Sequence, residues 1–345
     1  MNRLGTAALV LLLSGCSQHT GTIPLTILQD GLYDSAYPYT DVAHQLDRVS
    51  QSVLKIYFTA FYDNYFFAAS DRITRDQALD AIDAGRYEKK ISFNRSSFGT
   101  ATVIANAGAA SLLLSCAHIG NFPDTIRTWF AGEAGISDYL ESMAIRTRSN
   151  FFVDDNTLKG NLELVVHDLE RDIALFGHRQ SRNEAFPVPI FPFPFGRMDN
   201  VTWGSLVYMM GYPIGHKMVT QSLVSLDEDD GDNSFLVDAL FNKGFSGGVV
   251  LAVMDGVPNF ELVGLAKSIS AQTDYYLAPD SRDVMHYSTN PNAYTGKVYI
   301  VPKRSLHYGV TYCVTVDAIT DFIRSNRDAI LDQGYPVPSL VNLQP

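Results

Sequence analysis

Hydrophobic positions along this chain of 345 residues recur mostly in short runs separated by Gly, Asn, Asp and Pro. Runs at 101–105, 111–116, 162–166, 172–176, 205–210, 221–226, 235–241, 249–253, 262–268 and 297–301 have strand length, and 52–67 is rich in β-branched and aromatic residues. Closely spaced short strands with turn punctuation predict an all-β fold, a sandwich or barrel, and argue against parallel βαβ units. Two stretches carry a helical period instead. Ala78, Leu79, Ile82 and Tyr87 predict a small helical insertion within 74–90. Ile319, Phe322, Ile323 and Ile330, following Asp317, predict a C-terminal helix over 316–330. Residues 17–50 mix Thr, Gly, Pro, Asp and Tyr with weak periodicity and read as a tether and lead-in.

The first residues have a different logic. Arg3 precedes an apolar run, 4–13, that is too short to span a bilayer as a helix and ends in small residues. Leu13-Ser14-Gly15-Cys16 resembles the lipobox of bacterial lipoproteins. That resemblance implies a signal peptide over 1–15, lipid on Cys16, and a chain anchored to a membrane rather than spanning it. Ser17 after the modified cysteine is compatible with outer-membrane sorting by the same resemblance. Three acyl chains would hold the protein, because a net charge of -11 is repelled by acidic lipids.

Composition changes the picture only by exclusion. With 46% hydrophobic and 18% charged residues the chain has enough apolar material for a packed core. Its acidity and lack of a basic run disfavour nucleic-acid binding. Cys16, Cys116 and Cys313 are too few for a disulfide scaffold and lack paired zinc spacing. Whether Cys116 and Cys313 pair depends on the fold, with unpaired core thiols favoured by their apolar surroundings. The remaining histidines, His19, His44, His178, His216, His286 and His307, show no metal-ligand spacing, and His167 and Asp168 read as surface turn residues. The acidic run 227–232 lacks the glycine position and closing glutamate of a calcium loop. No metal and no cofactor are expected.

Three segments carry chemistry. Leu114-Ser115-Cys116-Ala117-His118 follows an apolar strand, Asp172-Ile173-Ala174-Leu175 opens another, and Gly244-Phe245-Ser246-Gly247-Gly248 precedes a third. Each alone is a common strand end or turn. A serine hydroxyl needs a base titrating near neutrality, which imidazole provides, and a carboxylate fixes the imidazole tautomer. In order and context the three segments resemble the trypsin-like, chymotrypsin-fold serine peptidases. The resemblance implies two antiparallel Greek-key barrels spanning 51–330, with 331–345 left as a tail. It also implies His118 as base, Asp172 as its orienting partner, Ser246 as nucleophile, and the N–H groups of Gly244 and Ser246 as an oxyanion hole.

Val207 to Gly215, with Val219-Thr220 and Val224-Ser225, is similar to a stretch of HtrA-type bacterial envelope peptidases, although too little chain follows residue 330 for a PDZ-like module. Phe245 stands where trypsin has an aspartate, so activation through an ion pair at that position is excluded. The resemblance also places a pocket floor near Leu240 and a wall along Lys267, Ser268 and Ile269, with Ile269 narrowing the mouth toward small or medium apolar side chains. The expected function is a lipid-anchored serine endopeptidase acting on a protein or peptide. The rival is a latent or inactive lipoprotein of the same fold that binds a peptide or envelope partner, with Phe245 or the Tyr-rich segment 275–294 closing the cleft.

Overall fold

The computed structural model describes residues 30–338, except 39, 133–134, 157, 181–187, 226–232, 280–295 and 297. Cys16 and the acidic run 227–232 lie outside the described residues, as does most of the Tyr-rich segment. Thirteen strands and four short α-helices are present among those described.

The first barrel is built from β1 (Val53–Phe66), β2 (Lys89–Ala107), β3 (Ala110–Ser115), β5 (Gly135–Asp154), β6 (Lys159–Asp168) and β7 (Ile173–Arg179). Neighbours run β1-β2-β3-β7-β6-β5, and β5 pairs back with β1 to close the ring. Strand β4 (Thr125–Gly132) extends the β5 edge as a hairpin. The second barrel uses β8 (Leu206–Gly211), β9 (Met218–Ser225), β10 (Ser234–Val237), β11 (Val249–Val253), β12 (Phe260–Pro279) and β13 (Val298–Thr315), closed in the order β10-β13-β12-β11-β8-β9. Counted along the chain within each barrel, both circles read first, second, third, sixth, fifth, fourth. The fourth strand beside the first gives the Greek-key arrangement. The fold is therefore the double antiparallel barrel of the chymotrypsin type.

Packing explains why β8 and β11 read as continuous apolar runs. Leu206, Tyr208 and Met210 alternate with Val207 and Met209, and Val249, Leu251 and Val253 alternate with Val250 and Ala252. The first set joins the cluster that fills the first barrel and the seam between barrels, while the second fills the second barrel around Phe235, Val263, Ala266 and Cys313. Both faces are buried, so period two is hidden in an all-apolar run. Full burial of each such side chain is worth about 1.5–3 kcal/mol. The linking segment Phe191-Pro192-Phe193-Pro194-Phe195 runs along the same seam. Its prolines hold the preceding residues extended, and Phe191 sits edge-on to Phe193 and Phe195 at 6.2 and 6.5 Å.

Several elements differ from expectation. Strands β4 and β5 were not foreseen, because β5 is full of polar and charged residues and its pairing partners supply the burial. The insertion at 74–90 holds only six residues of helix, α2 (Ala78–Asp83), and the lead-in holds another helix, α1 (Ala43–Ser50). Gly85 turns the chain out of α2, and residues from Lys89 onward already pair with β1. In the lead-in, Val49 is fully buried, and Tyr33 is also buried and donates its hydroxyl to Glu261 Oε2 at 2.6 Å. The C-terminal helix is two pieces, α3 (Val316–Ser325) and α4 (Arg327–Asp332), parted at Asn326, whose φ of -104° and ψ of 11° lie outside the helical region. Within the expected tail, Tyr335 is buried, with its hydroxyl bonded to Glu163 at 2.6 Å and pushed up to about 12, chiefly by burial. No described helix is long and apolar enough to cross a membrane.

Candidate active site

The two barrels meet at the three motifs. Strand β3 ends at Ser115, and the chain turns through a single 3-10 turn, Ala117–Gly120, that carries His118. Asp172 stands at the mouth of β7, where β6 has just turned over. Asp168 makes that turn by accepting from the N–H groups of Glu170 and Arg171 at 2.9 and 3.0 Å. Asp172 itself takes a φ of 63°, a left-handed conformation that aspartate tolerates better than most residues. This conformation aims its buried carboxylate at the neighbouring turn. Oδ1 accepts from the His118 backbone N–H at 2.8 Å, and Oδ2 lies 2.7 Å from His118 Nδ1. One carboxylate thus fixes both the backbone and the ring of the histidine. The imidazole's other nitrogen, Nε2, lies 2.9 Å from Ser246 Oγ. The His118 side chain is 44% exposed, open to an approaching substrate, against 7% for Asp172.

Ser246 is held by a turn that only glycine permits on either side. Gly244 has φ 97°, and a Cβ there would lie 2.3 Å from the Phe98 ring; Gly247 has φ 84°, and a Cβ there would lie 2.0 Å from the Thr100 carbonyl oxygen. Within this turn the N–H groups of Phe245, Gly247 and Gly248 donate to Asn242, Ala266 and Phe245 carbonyls at 3.0, 2.8 and 2.8 Å. The N–H groups of Gly244 and Ser246 have no protein acceptor among the described residues. Phe245 is buried in the second barrel, its ring 6.0 Å from that of Phe241, and does not enter the cleft.

Sequence reasoning missed the residue that ties the turn to the first barrel. Buried Thr100 donates its backbone N–H to the Ser246 carbonyl at 2.8 Å and its hydroxyl to the Gly244 carbonyl at 2.8 Å. The same hydroxyl oxygen accepts from the Tyr212 N–H at 2.9 Å, and the Thr100 carbonyl accepts from the Ser115 hydroxyl. A threonine inside an apolar strand carries no signal of this role. Tyr212, in the Gly-Tyr-Pro stretch, is raised to about 12, first by desolvation.

The expected pocket residues separate. The Lys267 carbonyl lies 3.3 Å from Ser246 Oγ, so that residue does border the site. Ser268 follows it, half-buried, beyond an irregularity in the β12–β13 pairing. Ile269 is half-buried and packs against the second-barrel core. Leu240 does not form a floor: it is 64% exposed, between buried Ala239 and Phe241.

Both expected thiols are buried and free. Burial raises Cys116 well above its ordinary value, helped by the Asp172 charge, and burial also raises Cys313. Cys116 Sγ donates to the Ala266 carbonyl at 3.3 Å. Ligand-type atoms of Cys116, His118 and Asp172 fall within 4.8 Å of one another. The His118 and Asp172 atoms are bonded to each other, however, and a thiol kept protonated is a poor metal ligand.

Residues 99–265 match the family model of the trypsin-like peptidase domain, a stretch that includes His118, Asp172 and Ser246. Among solved structures the chain is similar to the serine endoprotease from Yersinia pestis, at 15% identity and a TM-score of 0.40, covering 86% of this chain and 69% of that one. No curated protein sequence matches the chain. The matched stretch, which coincides with the strands and turns that assemble the site, is a trypsin-like peptidase domain.

Proposed function

We propose that this protein is a serine endopeptidase of the bacterial cell envelope, anchored by lipid at Cys16. The observation that carries the catalytic part is the hydrogen-bonded series Asp172, His118, Ser246, lying beside two N–H groups that have no protein acceptor among the described residues. Ser246 Oγ attacks the peptide carbonyl as its proton passes to His118 Nε2. The carbonyl oxygen becomes an oxyanion and accepts from Gly244 and Ser246, while Asp172 stabilises the imidazolium. His118 then gives the proton to the leaving amine. Water, activated by His118, hydrolyses the acyl-enzyme. Every proton transfer in this cycle has a donor and an acceptor among these residues.

The lipobox resemblance supports the anchor, and the signal-like run before Cys16 supports export. A fluorophosphonate probe on the mature protein tests the catalytic reading without a known substrate. Labelling of the wild type that disappears in Ser246→Ala and His118→Ala supports an activated serine; no labelling of folded wild type overturns it in favour of a binding protein. Metabolic incorporation of a tagged fatty acid, lost in Cys16→Ser, tests the anchor.

A further inference from the structure

An acidic protein carries an unusual concentration of lysines near this site. Lys55, Lys217, Lys243 and Lys267 make up four of the nine lysines in the chain. Two of them converge on one ring. Lys55 Nζ lies 4.8 Å from the centroid of Phe98, and Lys243 Nζ lies 5.8 Å from it. Phe98 in turn lies against Gly244, one of the two proposed oxyanion donors, so closely that no side chain fits between.

The Lys55 ammonium is held by surrounding groups. Lys55 and Tyr57 share one face of β1, and Tyr57 pairs across the strands with Phe98. The ammonium lies 4.8 Å from the Tyr57 ring as well, and Tyr57 stacks on Phe152 at 4.9 Å. A Cβ on Gly215 would lie 2.9 Å from Lys55 Nζ. The turn containing Gly215 is itself tied to Lys243, because Ile214 donates its N–H to the Lys243 carbonyl at 2.7 Å. Neither lysine forms an ion pair with a carboxylate among the described residues. The nearby carboxylate, Asp155, exerts its charge on Lys217 and Tyr212.

The position relative to Ser246 decides which part of a substrate meets these charges. Strand β12 flanks Ser246 on one side through the Lys267 carbonyl. On the other, Ser97 donates its hydroxyl to the Ile119 carbonyl, which joins the β2 segment before Gly99 to the turn bearing His118. The leaving amine must depart over the imidazole that protonates it. The chain after the scissile bond therefore passes along the His118 turn, Phe98 and the Lys243–Gly244 peptide.

We propose that Lys55 and Lys243, with Phe98 between them, form a subsite for an acidic side chain on the leaving-group side of the scissile bond. The inference rests on the peptidase reading above and specifies its substrate class. Aromatic contacts leave the ammonium charge available to a carboxylate, and two cations flanking one ring disfavour a basic residue there.

The test is cleavage of a peptide library by the mature protein, then matched peptides carrying Glu, Gln or Lys in the first two positions after the cut. Glu peptides should have kcat/KM about five- to tenfold above Gln peptides, the scale of two partly exposed ion pairs. That ratio should shrink as ionic strength rises in the unaltered protein. It should fall toward one in Lys55→Gln and Lys243→Gln, and return in Lys55→Arg. A Glu-to-Gln ratio near one in wild type, or a ratio kept in the double Gln variant, overturns the subsite while leaving the hydrolase intact. Absence of fluorophosphonate labelling overturns the peptidase reading and the subsite with it.

Discussion

The two barrels have the same circular strand order and almost opposite tasks. The first holds His118 and Asp172 on turns braced from within, the histidine by two bonds to one carboxylate. The second offers Ser246 on a glycine turn whose carbonyls are bonded from outside by Thr100 of the first barrel. His118 and Asp172 thus belong to one rigid unit, whereas Ser246 and His118 are aligned only when the barrels dock. Topology is duplicated here, but the chemistry belongs to the seam.

The largest expected effect tests the first barrel's half of this contrast. Asp172→Asn should keep the fold, because asparagine also tolerates a positive φ, yet lower kcat by about 10⁴ by favouring the wrong tautomer. Single-turnover acylation with an activated ester would measure it, and a loss below tenfold would deny Asp172 its role.

Breaking the seam comes next. Gly247→Ala places a methyl group on the Thr100 carbonyl in a backbone conformation that alanine resists. A loss of about 3 kcal/mol in denaturant unfolding is expected, with unfolding no longer coincident for probes in the two barrels. Thr100→Val is the milder version. It removes the hydroxyl that serves the Gly244 carbonyl and the Tyr212 N–H, at about 1–3 kcal/mol. Probe labelling of Ser246 should slow more than stability alone explains.

Acid should separate the barrels further. His178 on β7 is buried, with its Nε2 beside the Lys159 carbonyl at 3.0 Å, and desolvation lowers its pKa. The unfolded chain therefore takes up this proton first, so stability is complete above the ordinary histidine value of about 6.5 and declines as pH falls below it. Unfolding midpoints measured against pH should show this decline, and His178→Gln should flatten it. The smallest effect concerns the thiols: alkylating reagents should leave Cys116 and Cys313 unmodified in the native protein and modify both in denaturant, as mass spectrometry would read.

Much of this was legible in residues taken in order. The apolar runs that became β3, β7, β8 and β11 could be read because burial on one or both faces leaves a compositional trace. His118, Asp172 and Ser246 could be read because each stands in a short motif at a strand end. Strand β5 could not, since its polar residues gain their setting from β1 and β4. Thr100 and Lys55 were equally silent, their importance lying in partners more than a hundred residues away.

The amino-acid sequence alone determined the all-β class, the pair of barrels through its family resemblance, and the chemical types of the three groups that meet at the seam. These follow from local periodicity and local motif, which need no long-range contact. Only the tertiary structure decided that one carboxylate holds His118 twice, that Thr100 ties the Ser246 turn to the first barrel, that Leu240 faces solvent, and that two lysines meet over Phe98. Those facts are distances between segments far apart in the chain, and such distances come into being only when the barrels close and dock.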